Sequence, residues 1–442
     1  MVKHNGMGKK RRVALLQNLS ILCLSVLAAG LLVAVFSYEA GGDGPISSLS
    51  TLLGSPAAST EVSQSPDLGG MAAPFNLVAT SDQGRYGRML AGTAERDQLH
   101  ASNLLLEALG SAGNSTAVTE EAFRTALEET GLFLDYLFPV PVSVLAGWYG
   151  ADFSGDAQAR YLLLSTNGGT GVQLFLWDGV GSVYRYDTAV ERPALEEIVR
   201  SFRQEGDAAA GDVAFAFEDP ETYGHLAPYT VLSSEAAQTM VLTASLPELA
   251  SDVDTLLDML DFNPHTIARY NLTDGIEVVE FPRTFRVYHD GVIRYSGDAD
   301  APSALYTIPA GGEMPTRAEA VLAARRLAEV LLPGEVLLDT DFYFTGIEAT
   351  ESGYAITFDY MVDGIPVYLS SGEAALEVRT TGDTITYFRL QYRQYTAAEE
   401  SYHLLPLAQA VHMVGGYEET VFLTKGYVDR GGETVTAQWL AR

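Results

Sequence analysis

The stretch FDYMVDGIPVYL, residues 358–369, has the pattern of a β-hairpin folded over Asp363 and Gly364. Aromatic and aliphatic residues alternate with polar ones on both sides of a dipeptide that suits a type I′ turn. Pro366 follows two residues after the turn, where proline has no N–H to donate to a ladder. We therefore expect an edge strand, a bulge or a surface kept for binding, and the candidate recognition edge is Ile365, Pro366 and Val367.

The same turn signal recurs along the chain. Asp-Gly followed by Val or Ile occurs at 178–180, 274–276, 290–292 and 363–365. Helical patterns alternate with these strand-like segments; one of them opens at Thr316 with Glu319 three residues later. A helix followed by an antiparallel sheet, used more than once, predicts an α+β fold in which helices pack on antiparallel sheets.

Charge divides the chain into two unlike parts. Residues 1–12 carry five basic residues and no acid, whereas the first acidic residue is Glu39. Without those five, the totals of 27 basic and 57 acidic residues leave 22 against 57, a formal charge of −35 beyond position 38. Between them, residues 13–36 are 24 residues without a charge. At about 1.5 Å per residue they reach across a hydrocarbon core of about 30 Å, so we predict a single transmembrane helix.

The basic cluster before this segment predicts a cytoplasmic N-terminus and an extracytoplasmic body, hence a single-pass protein of the cell membrane. A cleaved signal peptide is the alternative, although its apolar region is normally about 7–15 residues long. Cys23, the only cysteine, lies in the segment, so no disulfide can form within the chain. Small residues at four-residue spacing, together with polar ones, indicate a surface for another membrane helix. The candidate partner-binding residues are Gln17, Asn18, Ser25, Ala29, Gly30 and Ala34.

Composition and element pattern also predict the domain boundaries. Residues 37–72 are rich in Gly, Ser, Pro and Ala and are typical of a flexible linker. The predicted order is a basic tail, the membrane segment, the linker and three exported domains, with boundaries at 1–12, 13–36, 37–72, 73–240, 241–315 and 316–442.

Motifs for chemistry are scarce. The sequence has no G-x-S-x-G, no H-E-x-x-H and no glycine-rich phosphate loop. None of its seven histidines has metal-ligand spacing. Paired carboxylates for glycoside hydrolysis stay open among 57 acids, although no pair is singled out. The charge of the exported part disfavours nucleic acid. We therefore expect no enzyme activity, no catalytic residues, no metal and no cofactor, but a binding or regulatory body.

Several short phrases resemble the YycH/YycI proteins, which are accessory regulators of the histidine kinase that controls cell-wall metabolism in Gram-positive bacteria. The likeness covers most of residues 74–442 and rests on overall pattern. The phrases are GRYGRML (84–90), LLLEALGSAG (104–113), PVPVSVLAGWYG (139–150), YGHLAPYTVL (223–232), FDYMVDGIPVYL (358–369), LPLAQAV (405–411) and LTKGYVDRGGETVTAQWLAR (423–442).

The resemblance implies a protein that is not an enzyme, with a YycI/PepSY-like C-terminal region behind one membrane helix. It implies binding to a sensor histidine kinase and to a YycI-like paralogue through residues 13–36 and the exported body. The sequence leaves open a membrane-anchored binding module or peptidase inhibitor, whose PepSY-like hairpins would accept or block a partner strand, and an enzyme of the cell envelope.

Overall fold

Two β-sheets dominate the structure. The computed structural model describes residues 74–441 apart from 82–83, 90–94, 154, 156, 167–170, 206–213, 233–235, 247–248, 300–307, 309–313, 332–339 and 415–421. The secondary structure is 47% strand and 24% helix. All described residues belong to the compact unit Ser65–Arg442.

The smaller sheet has seven strands, and its pairings are all antiparallel. Its spatial order is β2-β1-β4-β5-β6-β7-β3. The strands are β1 (Asn76–Ser81), β2 (Gly84–Met89), β3 (Thr116–Val118), β4 (Gly131–Pro141), β5 (Gln158–Ser165), β6 (Gly171–Trp177) and β7 (Val183–Glu191).

The larger sheet has 13 strands, in the order β18-β8-β20-β19-β15-β14-β16-β17-β12-β11-β10-β9, with β13 paired to β14. Its strands are β8 (Gln238–Ser245), β9 (Ala268–Asn271), β10 (Gly275–Glu280), β11 (Arg283–Tyr288), β12 (Val292–Ser296), β13 (Thr340–Ala349), β14 (Tyr354–Val362), β15 (Ile365–Leu369), β16 (Leu376–Thr381), β17 (Thr384–Gln391), β18 (Gln394–His403), β19 (Leu423–Asp429) and β20 (Thr434–Ala441).

The larger sheet forks at β14. One side of β14 pairs with β13 along its length, while the other side is shared by β16 over residues 355–358 and by β15 over residues 360–362. Asp359 lies between these two ladders, and its carboxylate accepts a hydrogen bond from the backbone N–H of Ala375 at 3.2 Å. The hairpin of residues 358–369 therefore joins two halves of the sheet.

The hairpin turn is the predicted one. Asp363 and Gly364 both have positive φ, at 49° and 72°, as a type I′ turn requires. Met361 faces Pro366 one position beyond the pair that closes the turn, at a site where antiparallel partners exchange no hydrogen bonds. The missing N–H of Pro366 is thus directed towards β19, whose parallel ladder with β15 begins at Val367. Proline costs no hydrogen bond to β14 here.

Eight helices are described around the sheets. They are α1 (Glu95–Gly110), α2 (Glu120–Glu128), α3 (Val142–Trp148), α4 (Arg192–Glu205), α5 (Pro220–Tyr223), α6 (Leu249–Met259), α7 (Arg317–Leu331) and α8 (Leu407–Val414). Helix α7 begins with the predicted capping box: Glu319 N–H donates to Thr316 Oγ1 at 3.2 Å, and Thr316 N–H donates to Glu319 Oε2 at 2.7 Å.

Helices α3 and α7 connect the cores of the two sheets. They approach so closely at Gly147 that a Cβ there would lie 2.5 Å from Cβ of Ala318. Beside this crossing the ring of Trp148 meets Phe344 of β13 edge to face, with centroids 5.6 Å apart. One continuous apolar core therefore extends from β4 to β14.

The predicted fold class is wrong. The described chain is mostly β-sheet, built as two large sheets, and not an α+β body of helices layered on sheets. Local sequence patterns predicted the positions of many helices and strands. They did not predict the pairing of strands that are distant in sequence, such as the parallel pair β15–β19. None of the described helices is long and apolar enough to cross a bilayer.

The predicted membrane segment 13–36 and the linker 37–72 lie outside the described residues. The larger sheet draws strands from both the predicted middle range, 241–315, and the C-terminal range, 316–442. The domain boundaries themselves stay a prediction.

Candidate functional site

The predicted recognition edge lies inside the larger sheet. Strand β15 has β14 on one side and β19 on the other. Ile365, Pro366 and Val367 are all buried, and Val367 is fully inaccessible. These three residues therefore present no open edge. The six candidate residues of segment 13–36, from Gln17 to Ala34, lie outside the described residues.

A buried ion pair marks an irregularity in β4. Between Asp135 and Val140, four residues of β4 lie opposite the single residue Arg160 of β5. Arg160 Nε donates to Asp135 Oδ1 at 3.1 Å, and Asp135 is 1% exposed. Inside the bulge, Leu137 has a φ of 65°, which is uncommon for a bulky residue, and its N–H donates to Asp135 Oδ1 at 2.8 Å. The carboxylate thus stabilises both the arginine and the strained backbone.

Tyrosines surround this pair. Tyr136 and Tyr149 share a hydrogen bond of 2.6 Å between their hydroxyls, and the hydroxyl of Tyr343 in β13 donates to the carbonyl of Tyr136. Burial raises the pKa of Tyr149 to about 12, although its bond to Tyr136 opposes the shift. Burial also disfavours the charge of Arg160, but Asp135 outweighs it and raises the pKa of the guanidinium. These groups hold their protons at neutral pH.

A second buried pair lies in the larger sheet, at the end of β19. Arg393 binds both oxygens of Asp429, with Nε to Oδ2 at 2.8 Å and Nη2 to Oδ1 at 3.0 Å. The hydroxyl of Tyr395 donates to Oδ2 at 2.8 Å, and the N–H of Gly431 donates to Oδ1 at 2.7 Å. Arg393 Nη2 also donates to the carbonyl of Gly432 at 2.6 Å. This network ties the start of β18 to the turn between β19 and β20.

A pocket of about 90 Å³ opens on the smaller-sheet side. Helix α2, the end of β6, the segment 217–228 and Phe422 surround it. Eight of its twelve lining residues are apolar or aromatic, but polar atoms contribute as much of its exposed wall as apolar ones. One ion pair, Glu120 with Arg124, contributes the charge. The lining residues are Glu120, Phe123, Arg124, Trp177, Gly179, Val180, Phe217, Tyr223, Gly224, Leu226, Pro228 and Phe422.

Local sequence explains the walls of this pocket. Thr119 caps α2, where its Oγ1 accepts from the N–H of Ala122 at 3.2 Å. That start turns Phe123 inward against Trp177, with ring centroids 5.3 Å apart. After β6, Asp178 Oδ1 accepts from the N–H of Val180 at 3.0 Å and leaves the Val180 side chain 69% exposed at the rim.

The pocket and the first ion pair share a wall. Phe422 lines the pocket, and the guanidinium carbon of Arg160 lies 4.8 Å from the centre of its ring. A Cβ at Gly179 would lie 3.1 Å from the Phe422 ring, and φ there is +100°, so glycine allows the turn to approach. The indole N–H of Trp177, a residue only 8% exposed, meets no acceptor among the described residues.

Lys425 is the only lysine beyond position 10, and it lies on β19. Burial lowers the pKa of its ammonium, while the carboxylate of Asp363 in the hairpin turn acts in the opposite direction. Across the described residues, no group of three or more His, Cys, Asp and Glu side chains could hold a metal ion. Among the described residues, the aromatic pocket is the feature that we take as a candidate binding site.

Sequence reasoning missed the residues of these sites for different reasons. Asp135 carried a usable signal, since it is the one charged residue in the apolar run 132–141. Trp177 and Val180 flank one of the predicted Asp-Gly turns. The neighbouring sequence does not indicate that α2 and Phe422 pack around them. Comparisons with protein families, with curated proteins and with solved structures give no match.

Proposed function

We propose that this chain is a regulatory protein of the cell membrane, whose partner is a sensor histidine kinase that controls cell-wall metabolism. The observation that carries the proposal is the charge asymmetry around residues 13–36. Five basic residues precede an uncharged run of 24, and a formal charge of −35 follows it. This order is typical of a chain that is cytoplasmic at its N-terminus and extracytoplasmic beyond the run.

The resemblance of residues 74–442 to the YycH/YycI proteins supports the kinase as the partner. Regulation requires that the chain bind one signalling state of the kinase more tightly than the other. A coupling free energy of about 1–3 kcal/mol shifts the balance between two states by about 5- to 150-fold. In this proposal, residues 13–36 and the exported body supply those contacts, and no chemical step is required.

The partner can be identified through Cys23, the only cysteine in the chain. A thiol-reactive photocrosslinker attached to the full-length protein in intact membranes would label whatever lies against residues 13–36. We expect a product that mass spectrometry identifies as a sensor histidine kinase together with this chain. The Cys23→Ser variant is the matched control and should give no product. Recovery of a protease, or of wall fragments without a kinase, would refute the assignment.

A second experiment tests regulation itself. Residues 13–36 are replaced by an unrelated uncharged run of the same length, and kinase autophosphorylation is measured in membranes. We expect the effect of the chain on the kinase to be reduced. If it is unchanged, pairing within the membrane is not the mechanism. The alternative of a strand-accepting inhibitor depended on an open edge at Pro366, and that residue lies between paired strands.

A further inference from the structure

We propose that the pocket between α2, the end of β6 and the segment 217–228 binds one aliphatic side chain of a partner protein segment, with Lys or Arg residues on both sides of that side chain. We infer this independently of the identity of the membrane partner. It concerns a contact site on the exported body, whichever protein supplies the segment.

The size of the pocket selects the group that enters it. An apolar cavity of about 150 Å³ accepts benzene, whereas small-molecule sites are usually about 300 Å³ or more. The volume here is about 90 Å³. It therefore suits the end of a leucine or isoleucine side chain, and it is too small for an aromatic ring or a cofactor.

The walls favour an apolar group over a cation. Phe123, Trp177 and Phe217 are each no more than 8% exposed, and Leu226 is 4% exposed. Aromatic walls can also bind ammonium groups. Glu120, however, is already paired with Arg124 in this lining, so it is not available as a counter-charge for a cation inside. An aliphatic group needs no counter-charge and gains burial against the rings.

The rim favours positive charge outside the pocket. The Glu120–Arg124 pair adds no net charge, but two further acids directly adjoin lining residues in the chain: Asp178 beside Gly179, and Glu218 beside Phe217. Glu221 is exposed on α5, two residues before Tyr223 of the lining. Charge complementarity steers a basic segment to such a rim and repels an anionic lipid surface. A protein segment with flanking Lys or Arg is thus the occupant that fits.

Exposed apolar surface beside the opening adds contact area. Val180 is 69% exposed, and its backbone N–H donates to Asp178 Oδ1, which holds the turn that carries this side chain. Protein interfaces commonly bury one anchor side chain in a pocket and surround it with contacts that exclude water. Val180 is placed to make such a surrounding contact.

Fluorescence anisotropy can test the site with the full-length protein in detergent micelles. The probe is a labelled peptide of sequence Gly-Ser-Lys-Arg-Leu-Arg-Lys-Ser-Gly, and the comparison peptides carry Ala or Lys in place of the central Leu. We expect the Leu peptide to bind about 10-fold more tightly than the Ala peptide, because most of the isobutyl group is buried. Equal affinities for Leu and Ala would overturn the assignment, as would tighter binding of the Lys peptide.

Two surface variants locate the binding on the protein. Val180→Ser should weaken binding of the Leu peptide about 3- to 5-fold, while Leu272→Ser, an exposed residue after β9, leaves it unchanged. The double variant Glu218→Gln with Glu221→Gln should weaken binding about 3-fold and reduce its salt dependence. Glu348→Gln with Glu351→Gln, two exposed acids elsewhere, is the matched control. If neither the Val180 variant nor the Glu218/Glu221 double variant changes the affinity of the Leu peptide, the peptide binds elsewhere and the proposed site is refuted.

Discussion

Each sheet contains one buried arginine–aspartate ion pair, and the two pairs differ in how many hydrogen bonds the aspartate receives. Asp429 receives four hydrogen bonds of 2.7–3.0 Å, two of them from Arg393 in a bidentate arrangement. Asp135 receives one good bond from Arg160 at 3.1 Å, a second contact at 3.5 Å and one backbone N–H. A buried charge is stable only as far as its lone pairs and protons are satisfied. The Arg393–Asp429 pair is therefore the more completely hydrogen-bonded of the two. The Arg160–Asp135 pair has fewer and longer bonds and lies beside Leu137, whose φ is positive.

Removal of Asp429 should have the largest effect on stability. Asp429→Ala leaves the guanidinium of Arg393 buried without its partner, which costs about 4–5 kcal/mol of unfolding free energy. Urea titration of the full-length protein in detergent, followed by the fluorescence of Trp439 on β20, measures the loss. Arg430→Ala, an exposed neighbour, is the control and should change stability by less than about 0.5 kcal/mol. A loss below 1 kcal/mol for Asp429→Ala would contradict the network.

Removal of Asp135 should cost less. Asp135→Ala leaves the buried guanidinium of Arg160 and the N–H of Leu137 without their acceptor. We expect the free energy of unfolding to fall by about 3 kcal/mol. Trp148 and Trp177 report on this side of the molecule in the same titration. Asp152→Ala, at an exposed position, is the matched control. If the Asp135 variant proved less stable than the Asp429 variant, the ranking of the two pairs by their hydrogen bonds would be wrong.

Replacement of both charges tests the comparison most sharply. Asp135→Leu with Arg160→Met removes the pair and leaves one backbone N–H, so we expect stability within about 1 kcal/mol of the parent. Asp429→Leu with Arg393→Met also leaves Tyr395, Gly431 and Gly432 with unpaired groups, and we expect a loss of about 2 kcal/mol. Equal losses in the two double variants would show that the surrounding bonds contribute little.

The tyrosines beside Asp135 add a dependence on alkaline pH. The pKa of Tyr149 is about 12 in the folded protein, against 10.0 without burial. Because the folded-state pKa is raised, this contribution to stability is complete below pH 10 and is lost as pH rises through 12. Tyr149→Phe should lower stability at pH 8 by about 1 kcal/mol and make the decline between pH 10 and 12 shallower.

The measurement is a series of urea titrations from pH 8 to 12. Tyr427→Phe provides a comparison in the larger sheet, since burial also raises the pKa of Tyr427 to about 12. Both variants should flatten the decline. An unchanged slope for Tyr149→Phe would mean that its hydroxyl ionises equally in the folded and unfolded chain.

Local features of the fold could be predicted from sequence because they depend on a few neighbouring residues. The type I′ turn at Asp363-Gly364 and the capping box at Thr316 and Glu319 both follow from short-range chemistry, and both are confirmed. Alternating apolar residues likewise located strands such as β14 and β15. These signals reach only a few residues along the chain.

The assembly of strands into sheets could not be predicted in the same way. Strand β8 pairs with β18, and Gln238 faces His403 across a long stretch of sequence. Every strand edge carries the same N–H and C=O groups, so backbone chemistry does not specify a distant partner. Pro366 shows the limit clearly. Proline favoured an edge strand, but only the parallel pairing with β19 reveals that its missing donor falls where that ladder begins. The pocket was missed for the same reason, because Phe422 and α2 meet only after assembly.

The fork at β14 also implies an order of folding. Strands β13, β14 and β15 are consecutive in the chain and joined by short turns, so their ladders close small loops. The pairings of β15 with β19 and of β8 with β18 close long ones, which form more slowly because loop entropy must be overcome first. We expect pulse-labelling hydrogen exchange during refolding to protect β13–β15 before β8 and β18. The hairpin of residues 358–369 would then belong to the folding nucleus, and the rest of the larger sheet would form around it.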